Sequence, residues 1–262
     1  MATQTDRSAP SSDEKLAAHA RLLSGHMRAL GARLFPPDSA KTLRSFSPGE
    51  AAKLLGVSDG YLRQLSLDGI GPVPEVSASG RRSYTLTQID ALRRHVATAK
   101  PRDAAAHLPH RRPGERLQVL ACTNFKGGSA KTTTCLYLAQ YLALRGYRVL
   151  ALDLDPQASL TTFMGVQPEF EVGEGETLYG AIRYDAARRP IADCIRKTYF
   201  HGIDLVPANL ELMEFEHETP RALMAGGRPP GGLFFQRVGL ALAEVEAAYD
   251  VVLIDCPPQL GY

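Results

Sequence analysis

Nothing in the sequence is long and apolar enough for a membrane span: no run approaches the roughly 20 residues that a bilayer requires. The N-terminus, Met1 to Leu16, is polar and does not read as a secretory leader, so a cytoplasmic location is the expectation. Cysteine is sparse and scattered. Cys122, Cys135, Cys194 and Cys256 lie too far apart in sequence for a metal-ligand pair or a disulfide framework, which leaves buried thiols. Histidines, among them His19, His26, His201 and His217, form no metal spacing. Net charge is small as well, +2 over 262 residues.

That small net charge hides an uneven distribution. Residues 1–116 hold 18 Lys and Arg against 11 Asp and Glu, whereas residues 117–262 hold 12 against 17. A basic front half points to an anionic partner, most economically nucleic acid, and solvated surface charge is the plain alternative. With 44% hydrophobic residues the chain can build a core of one large or two modest domains.

Asn124 to Thr134, read Asn-Phe-Lys-Gly-Gly-Ser-Ala-Lys-Thr-Thr-Thr, is the stretch around which the rest is organised. It follows an apolar run, Leu117 to Cys122, that reads as a buried parallel strand. It opens a helical pattern, Thr132 to Arg145, that stops at Gly146. A glycine turn between strand and helix can curl backbone N–H groups of Gly127, Gly128, Ser129, Ala130, Lys131, Thr132 and Thr133 around phosphate oxygens. The Lys131 side chain would add a full positive charge there, and the Thr132 hydroxyl would ligate Mg²⁺. Phe125 and Ala130 occupy the two glycine positions of the usual P-loop pattern, so what stands here is Lys-Gly-Gly-x-x-Lys-Thr-Thr with an additional Lys126.

Two further apolar runs end in carboxylates. Tyr147 to Leu154 reads as a buried strand leading to Asp153 and Asp155, with Pro156 breaking it just beyond. Val251 to Ile254 ends in Asp255, the Walker B form, which would hold Mg²⁺ at the carboxyl edge of a parallel sheet. Helices are expected at Thr177 to Arg183, Ala192 to Thr198, from about Leu210, and over roughly Gly232 to Tyr249. A strand is expected at Ile203 to Pro207, and Thr219 to Gly231 reads as a Gly- and Pro-rich loop.

The front half carries its own pattern. Asp13, a plausible cap, starts a helix to about Leu34 whose stripe of Leu16, His19, Leu22, Leu23, Met27 and Leu30 must pack on its own domain or against a second subunit. Ser47, Pro48 and Glu50 form a capping box for a short helix, Gly56 turns the chain, and Ser58 caps a second helix. On that second helix Ser58, Tyr61, Arg63 and Gln64 are free to point outward into a major groove. A hairpin follows with Arg81 and Arg82 beside its tip, then a helix capped by Thr87. A small helical packing module without a ligand is the bland reading of the same residues. Pro101 to Arg116 reads as the linker.

These motifs carry a resemblance. Lys126 to Thr133, Asp153 to Gln157 and Asp255 to Pro258 resemble the deviant P-loop set of the ParA/MinD ATPases, and residues 46–97 resemble the winged helix-turn-helix of the MerR class. Together they are most similar to the RepA partition proteins of repABC-type plasmids. The fold expectation is α/β: a parallel-sheet P-loop NTPase, incomplete at its C-terminus, preceded by a helical, winged helix-turn-helix domain. The segments are 1–45 tail and amphipathic helix, 46–100 winged helix, 101–116 linker and 117–262 ATPase domain.

The resemblance implies a plasmid-partition ATPase that uses ATP and Mg²⁺, dimerises around nucleotide and binds DNA non-specifically. It also implies a centromere-bound partner of ParB type and repression of the protein's own operon. By position, Lys126 would reach across the dimer to the partner's nucleotide, Asp155 would orient the attacking water, Asp153 would support the Mg²⁺ and water network, and Arg81 and Arg82 would touch DNA phosphate. Ala130 departs from the pattern, at a position where a left-handed backbone costs a residue with a Cβ about 1–3 kcal/mol. The chain also stops at Tyr262, just past Asp255, short of the family's later strands. A second reading is therefore kept: a DNA-binding repressor fragment with a non-hydrolysing, nucleotide-sensing remnant. Membrane positioning of the MinD kind lacks the C-terminal amphipathic anchor it needs.

Overall fold

The long run of apolar spacing at the front folds as expected into one helix, α1 (Ser12–Leu34). The computed structural model describes residues 11–34, 41–224 and 232–259. Residues 1–40 and 41–262 form separate units. Ser11, not Asp13, caps α1: the Glu14 N–H donates to Ser11 Oγ at 3.2 Å and the Ser11 N–H donates to Glu14 Oε2 at 2.7 Å. Asp13 already lies inside the first turn, so it cannot be the residue that precedes it. Leu16, Leu22, Leu23, Met27, Leu30 and Leu34 are all exposed along this unit. The residues that follow Leu34, up to 40, lie outside the described residues.

In the second unit the capping signals of the first two helices work as written. Ser47 and Glu50 close a capping box on α2 (Pro48–Leu55), Gly56 leaves it at φ 67°, and Ser58 caps α3 (Asp59–Leu67). A two-stranded antiparallel ribbon, β1 (Glu75–Val76) and β2 (Arg82–Ser83), leads into α4 (Leu86–Ala99). Thr85, not Thr87, caps α4, because its hydroxyl accepts from Gln88 N–H while Gln88 Oε1 accepts from Thr85 N–H. The segment expected as a bare linker is packed. It contains a short helix, α5 (Ala104–His107), whose buried His107 pairs with the Leu55 carbonyl at 2.8 Å.

The main sheet has, among the described residues, the order β3 (Gln118–Cys122), β7 (Val251–Asp255), β4 (Val149–Asp153), β6 (Ile203–Val206), β5 (Arg196–Lys197). All neighbours are parallel except β5, which pairs antiparallel with β6. β5 replaces part of the helix expected over Ala192 to Thr198; only a 3-10 turn, Ile191–Cys194, precedes it. The cross-strand ladder from Arg196 to Leu205 outweighs a weak local helical pattern.

The other connections are α6 (Lys131–Leu144), α7 (Ser159–Phe163), α8 (Pro168–Glu171), α9 (Leu178–Ile182), α10 (Leu212–Met224) and α11 (Phe234–Ala243). Helix α11 ends before a 3-10 turn at Glu246–Ala248, earlier than the expected Tyr249. Thr219 to Met224, expected as loop, continue α10, and residues 225–231 lie outside the described residues. No helix of the described residues is long and apolar enough to cross a membrane.

Period-two alternation divides the core. Val149, Ala151, Ile203, Leu205, Val251 and Leu253 face a cluster shared with α6 and the 41–100 module. Leu150, Leu152, Val206, Val252 and Ile254 face α9, α10 and α11. β4 and β7 are buried on both faces. β3 corrects the expectation of a buried strand: it is parallel but lies at the sheet edge, with Val119 46% and Leu120 45% exposed.

Candidate functional site

Three strand ends meet at one level. Cys122 of β3 is in register with Asp255 of β7, and Asp255 is in register with Asp153 of β4. Because the strands are parallel, their carboxyl ends open on the same edge, where the following loops and helix N-termini gather.

The loop after β3 is exposed and runs directly into α6. Two of its residues have left-handed backbones, Gly128 at φ 71° and Ala130 at φ 63°, ψ 24°. Ala130 precedes Lys131 and so forms the hinge from loop to helix. Asn124 braces the loop from within, its Oδ1 accepting from the Lys126 N–H at 2.9 Å. Lys131 Nζ reaches back to the Lys126 carbonyl at 3.4 Å, a long contact. A Cβ built on Gly127 or Gly128 meets nothing within 4 Å, so the loop faces open space. Gly127, Gly128, Ser129 and Ala130 form this loop and Lys131, Thr132 and Thr133 the first turn of α6, whose helix-end N–H groups are suited to an anion.

Asp255 is fully buried; the Thr132 hydroxyl stands beside its carboxylate, and among the described residues no well-formed hydrogen bond reaches its oxygens. Burial raises its pKa; the neighbouring Thr132 hydroxyl and the Lys131 charge pull it back, and Asp155 pushes it up. A buried carboxylate with so little compensation is costly, and a hydrated hard cation would satisfy it, with Asp255 and the Thr132 hydroxyl as the residues to hold it. The donor set fits such an ion.

Asp153 is differently placed. Its Oδ2 accepts from the Thr161 N–H at 2.8 Å and the Thr161 hydroxyl at 2.7 Å, and its Oδ1 accepts from the Asp155 N–H at 3.1 Å. Burial still pushes its pKa up to about 7, against those hydrogen bonds and with help from the Asp255 charge. Its carboxylate thus anchors α7 and the turn carrying Asp155. Asp155, half-buried, accepts from the Gln157 N–H at 3.0 Å through its side chain and from the Ala158 N–H at 2.8 Å through its carbonyl. Thr161, which no motif flagged, joins Asp153 to the end of β6 by accepting from the Ala208 N–H at 2.9 Å.

The front-half candidates lie elsewhere on the unit. Arg63, Arg81 and Arg82 are exposed, and Arg82 donates to Ser66 Oγ of α3 at 3.3 Å, which ties the ribbon to that helix. Ser58 is occupied as a cap. Tyr61 does not point freely outward: it is half-buried against the core, with Lys100 4.5 Å above its ring. Gln64 is exposed but donates to Asp68 at 2.7 Å.

The strand–loop–helix and the in-register carboxylates define an α/β P-loop NTPase fold on a mostly parallel sheet. The chain belongs to the AAA_31 family, described as an AAA domain, whose model matches residues 117–262. Among curated relatives, the candidate replication protein A of Sinorhizobium fredii strain NGR234 is 52% identical over 241 residues, covering 92% of this chain and 59% of the relative. The chromosome partitioning protein ParA of Caulobacter vibrioides is 36% identical over 145 residues, 55% of this chain and 49% of ParA. The chain thus spans little more than half the length of the relatives it matches. Among solved structures, cobyrinic acid a,c-diamide synthase of Mycobacterium smegmatis, with bound ATP analog and magnesium, is 34% identical with a TM-score of 0.47. That alignment covers 55% of this chain and 53% of the synthase.

Proposed function

We propose that this chain carries the nucleotide site and a DNA-binding module of a plasmid-partition ATPase that binds and hydrolyses ATP with Mg²⁺. The observation that carries the reading is the juxtaposition of an anion-cradling loop bearing Lys126 and Lys131 with the buried carboxylate of Asp255 beside Thr132. Lys131 and the loop N–H groups would hold the phosphates, and Thr132 and Asp255 the Mg²⁺. When bound, the ion would neutralise phosphate charge. Asp155, on its braced turn at the same edge, would orient the attacking water; Asp153 would support that turn. Lys126 would act on the nucleotide of a second subunit in a homodimer, and the exposed stripe of α1 supports pairing between copies.

The 46–100 module reads as a winged helix-turn-helix. Its two capped helices, the ribbon tied to α3 and the exposed Arg63, Arg81 and Arg82 support DNA binding, with specific operator recognition and autoregulation as its use. Non-specific DNA binding by the ATPase dimer, a ParB-type centromere-binding partner and a cytoplasmic, nucleoid-associated location complete the reading. The name of the Caulobacter relative supports the partition role. The second reading, a DNA-binding repressor fragment with a non-hydrolysing remnant, is favoured by Ala130 alone, held at φ 63° where glycine is the easy residue.

The test is mant-ATP binding and ATP hydrolysis at fixed salt, with and without DNA. Lys131→Ala abolishes nucleotide binding, and Lys126→Ala keeps binding but loses turnover. Unchanged hydrolysis in both variants would sink the ATPase reading, and operator binding without turnover in the unaltered chain would select the repressor reading.

A further inference from the structure

Both helices that start at the candidate site are held at their far ends by cations from the N-terminal part of the same unit. Helix α6 begins at Lys131 and ends at Leu144. At that end Arg93 of α4, only 2% exposed, donates Nη1 to the Arg145 carbonyl at 3.0 Å and Nη2 to the Leu144 carbonyl. Gly146 closes over the guanidinium at φ 96°, where an added Cβ would stand 3.0 Å from Arg93 Cδ. Helix α7 follows the Asp155 turn and ends at Phe163. There Lys41 donates Nζ to the Thr162 carbonyl at 3.1 Å and the Phe163 carbonyl at 3.0 Å, 6.0 Å above the Phe163 ring.

A simple C-terminal cap is the bland account, and it fits the exposed Lys41 well. It fits Arg93 poorly. Burial lowers the Arg93 pKa to about 10 against the opposing pull of the nearby Asp90 charge, and among the described residues its Nε has no hydrogen-bond partner and its two other nitrogens bond carbonyls rather than a carboxylate. A guanidinium so little exposed, with the Asp90 charge offsetting only part of the cost of burial, depends on the carbonyls it bonds staying where they are. Any axial shift or tilt of α6 would strip those bonds, and α6 is the helix whose first turn bears Lys131, Thr132 and Thr133. The position of the loop and the seating of α4 are therefore not independent.

We propose that Arg93 and Lys41 are positioning residues for the phosphate site, fixing the far ends of α6 and α7 so that ligand binding at the loop and the seating of the 41–100 module on the sheet are energetically coupled. This rests on the phosphate-site reading above. Coupling of this kind is reciprocal: a ligand that orders the loop tightens the seating of α4, the seating of α4 tightens the ligand by the same factor, and loss of the latch removes that gain. Arg93 carries most of it, because exposed Lys41 competes with water.

The experiment is hydrogen exchange on the full chain with and without ATP and Mg²⁺, together with mant-ATP titration of the unaltered chain, Arg93→Ala, Arg93→Lys and Lys41→Met. With nucleotide, amides of residues 86–99 exchange about fivefold or more slowly, the low end of measured couplings. Arg93→Ala loses that protection and binds mant-ATP about fivefold or more weakly. Arg93→Lys recovers part of both, since an ammonium reaches one carbonyl but lacks the planar fork for two. Lys41→Met gives the smaller change. A merely structural Arg93 would lower the melting temperature of Arg93→Ala and leave exchange at α4 in the unaltered chain blind to nucleotide. Nucleotide binding without any change at residues 86–99, or unaltered affinity in Arg93→Ala, overturns the proposal. Absence of mant-ATP binding in the unaltered chain instead removes the phosphate-site reading, and the proposal with it. The exchange measurement on the unaltered chain decides the matter even if Arg93→Ala does not fold.

Discussion

Asp153 and Asp255 stand opposite each other on the last rung of the β4–β7 ladder, both fully buried; Asp153 accepts three hydrogen bonds, whereas Asp255 has the Thr132 hydroxyl beside it and, among the described residues, no well-formed bond. Two neighbouring acids with pKa values raised by burial disfavour double ionisation. The sheet divides their work through what surrounds them. Asp153 is satisfied by α7 and the Asp155 turn, whereas Asp255 has the Lys131 charge and the Thr132 hydroxyl beside it, and that hydroxyl is assigned with it to the ion in the function proposed above.

Thr161 is the pivot of that division, because its hydroxyl donates to Asp153 and accepts from the Ala208 N–H. Thr161→Val keeps the shape and removes both bonds, leaving a buried N–H without a partner. The expected loss is about 1–3 kcal/mol of stability, the desolvation penalty of such a group. Urea unfolding monitored by circular dichroism reads it; a loss below a few tenths of a kcal/mol contradicts the network.

Ala130 tests whether the departure from glycine in the loop is a burden. At φ 63° and ψ 24° a residue with a Cβ is about 1–2 kcal/mol worse than in the right-handed region. Glycine removes that strain but gains unfolded-state entropy, which offsets about 0.4–1 kcal/mol. Ala130→Gly is therefore expected to stabilise the chain by up to about 1.6 kcal/mol. Thermal unfolding without nucleotide checks this, and a destabilised variant shows that the strain estimate is misplaced. Hydrolysis measured beside it separates the two functional readings: a rise from nothing to measurable turnover assigns the repressor-like behaviour to this one side chain.

Much of this was readable in the sequence wherever the cause was local. The runs at Val149 to Asp153 and Val251 to Asp255 are long enough to be buried strands in any context, and Ser47 with Glu50 or Ser58 with the following helix are self-contained caps. The illegible parts depend on distant partners. Arg93 meets Leu144 across 51 positions, and the Arg111 N–H meets Asp250 across 139. β5 is two residues long and exists through its pairing with β6. Tyr61 had the right helical position to face outward, yet Lys100, brought alongside by α4, covers its ring.

Asp250 is one of those distant partners, and it makes a pH-dependent tie. Its carboxylate accepts from the Arg111 N–H and the Arg148 N–H, each at 2.8 Å, and from the Arg148 guanidinium at 2.7 and 3.1 Å, with its own side chain 1% exposed. Burial opposes ionisation, but the Arg148 pairing and the two N–H bonds win, so its pKa lies below the ordinary aspartate value of 3.8. A group lowered on folding contributes stability that is fully present above its unfolded pKa and is lost as pH falls toward the folded one. Asp250→Asn is expected to lose about 2–4 kcal/mol near pH 7, below the full range for a broken buried pair because Arg148 is partly in water. The gap between the two proteins should stay constant down to about pH 5 and shrink below about pH 4, where the unaltered carboxyl begins to bind protons on unfolding. Urea titrations of both proteins from pH 7 to pH 3 measure that gap. A constant difference across the whole range would mean that Asp250 contributes by packing alone, and that the charge at the head of β7 does not hold residue 111 against the sheet.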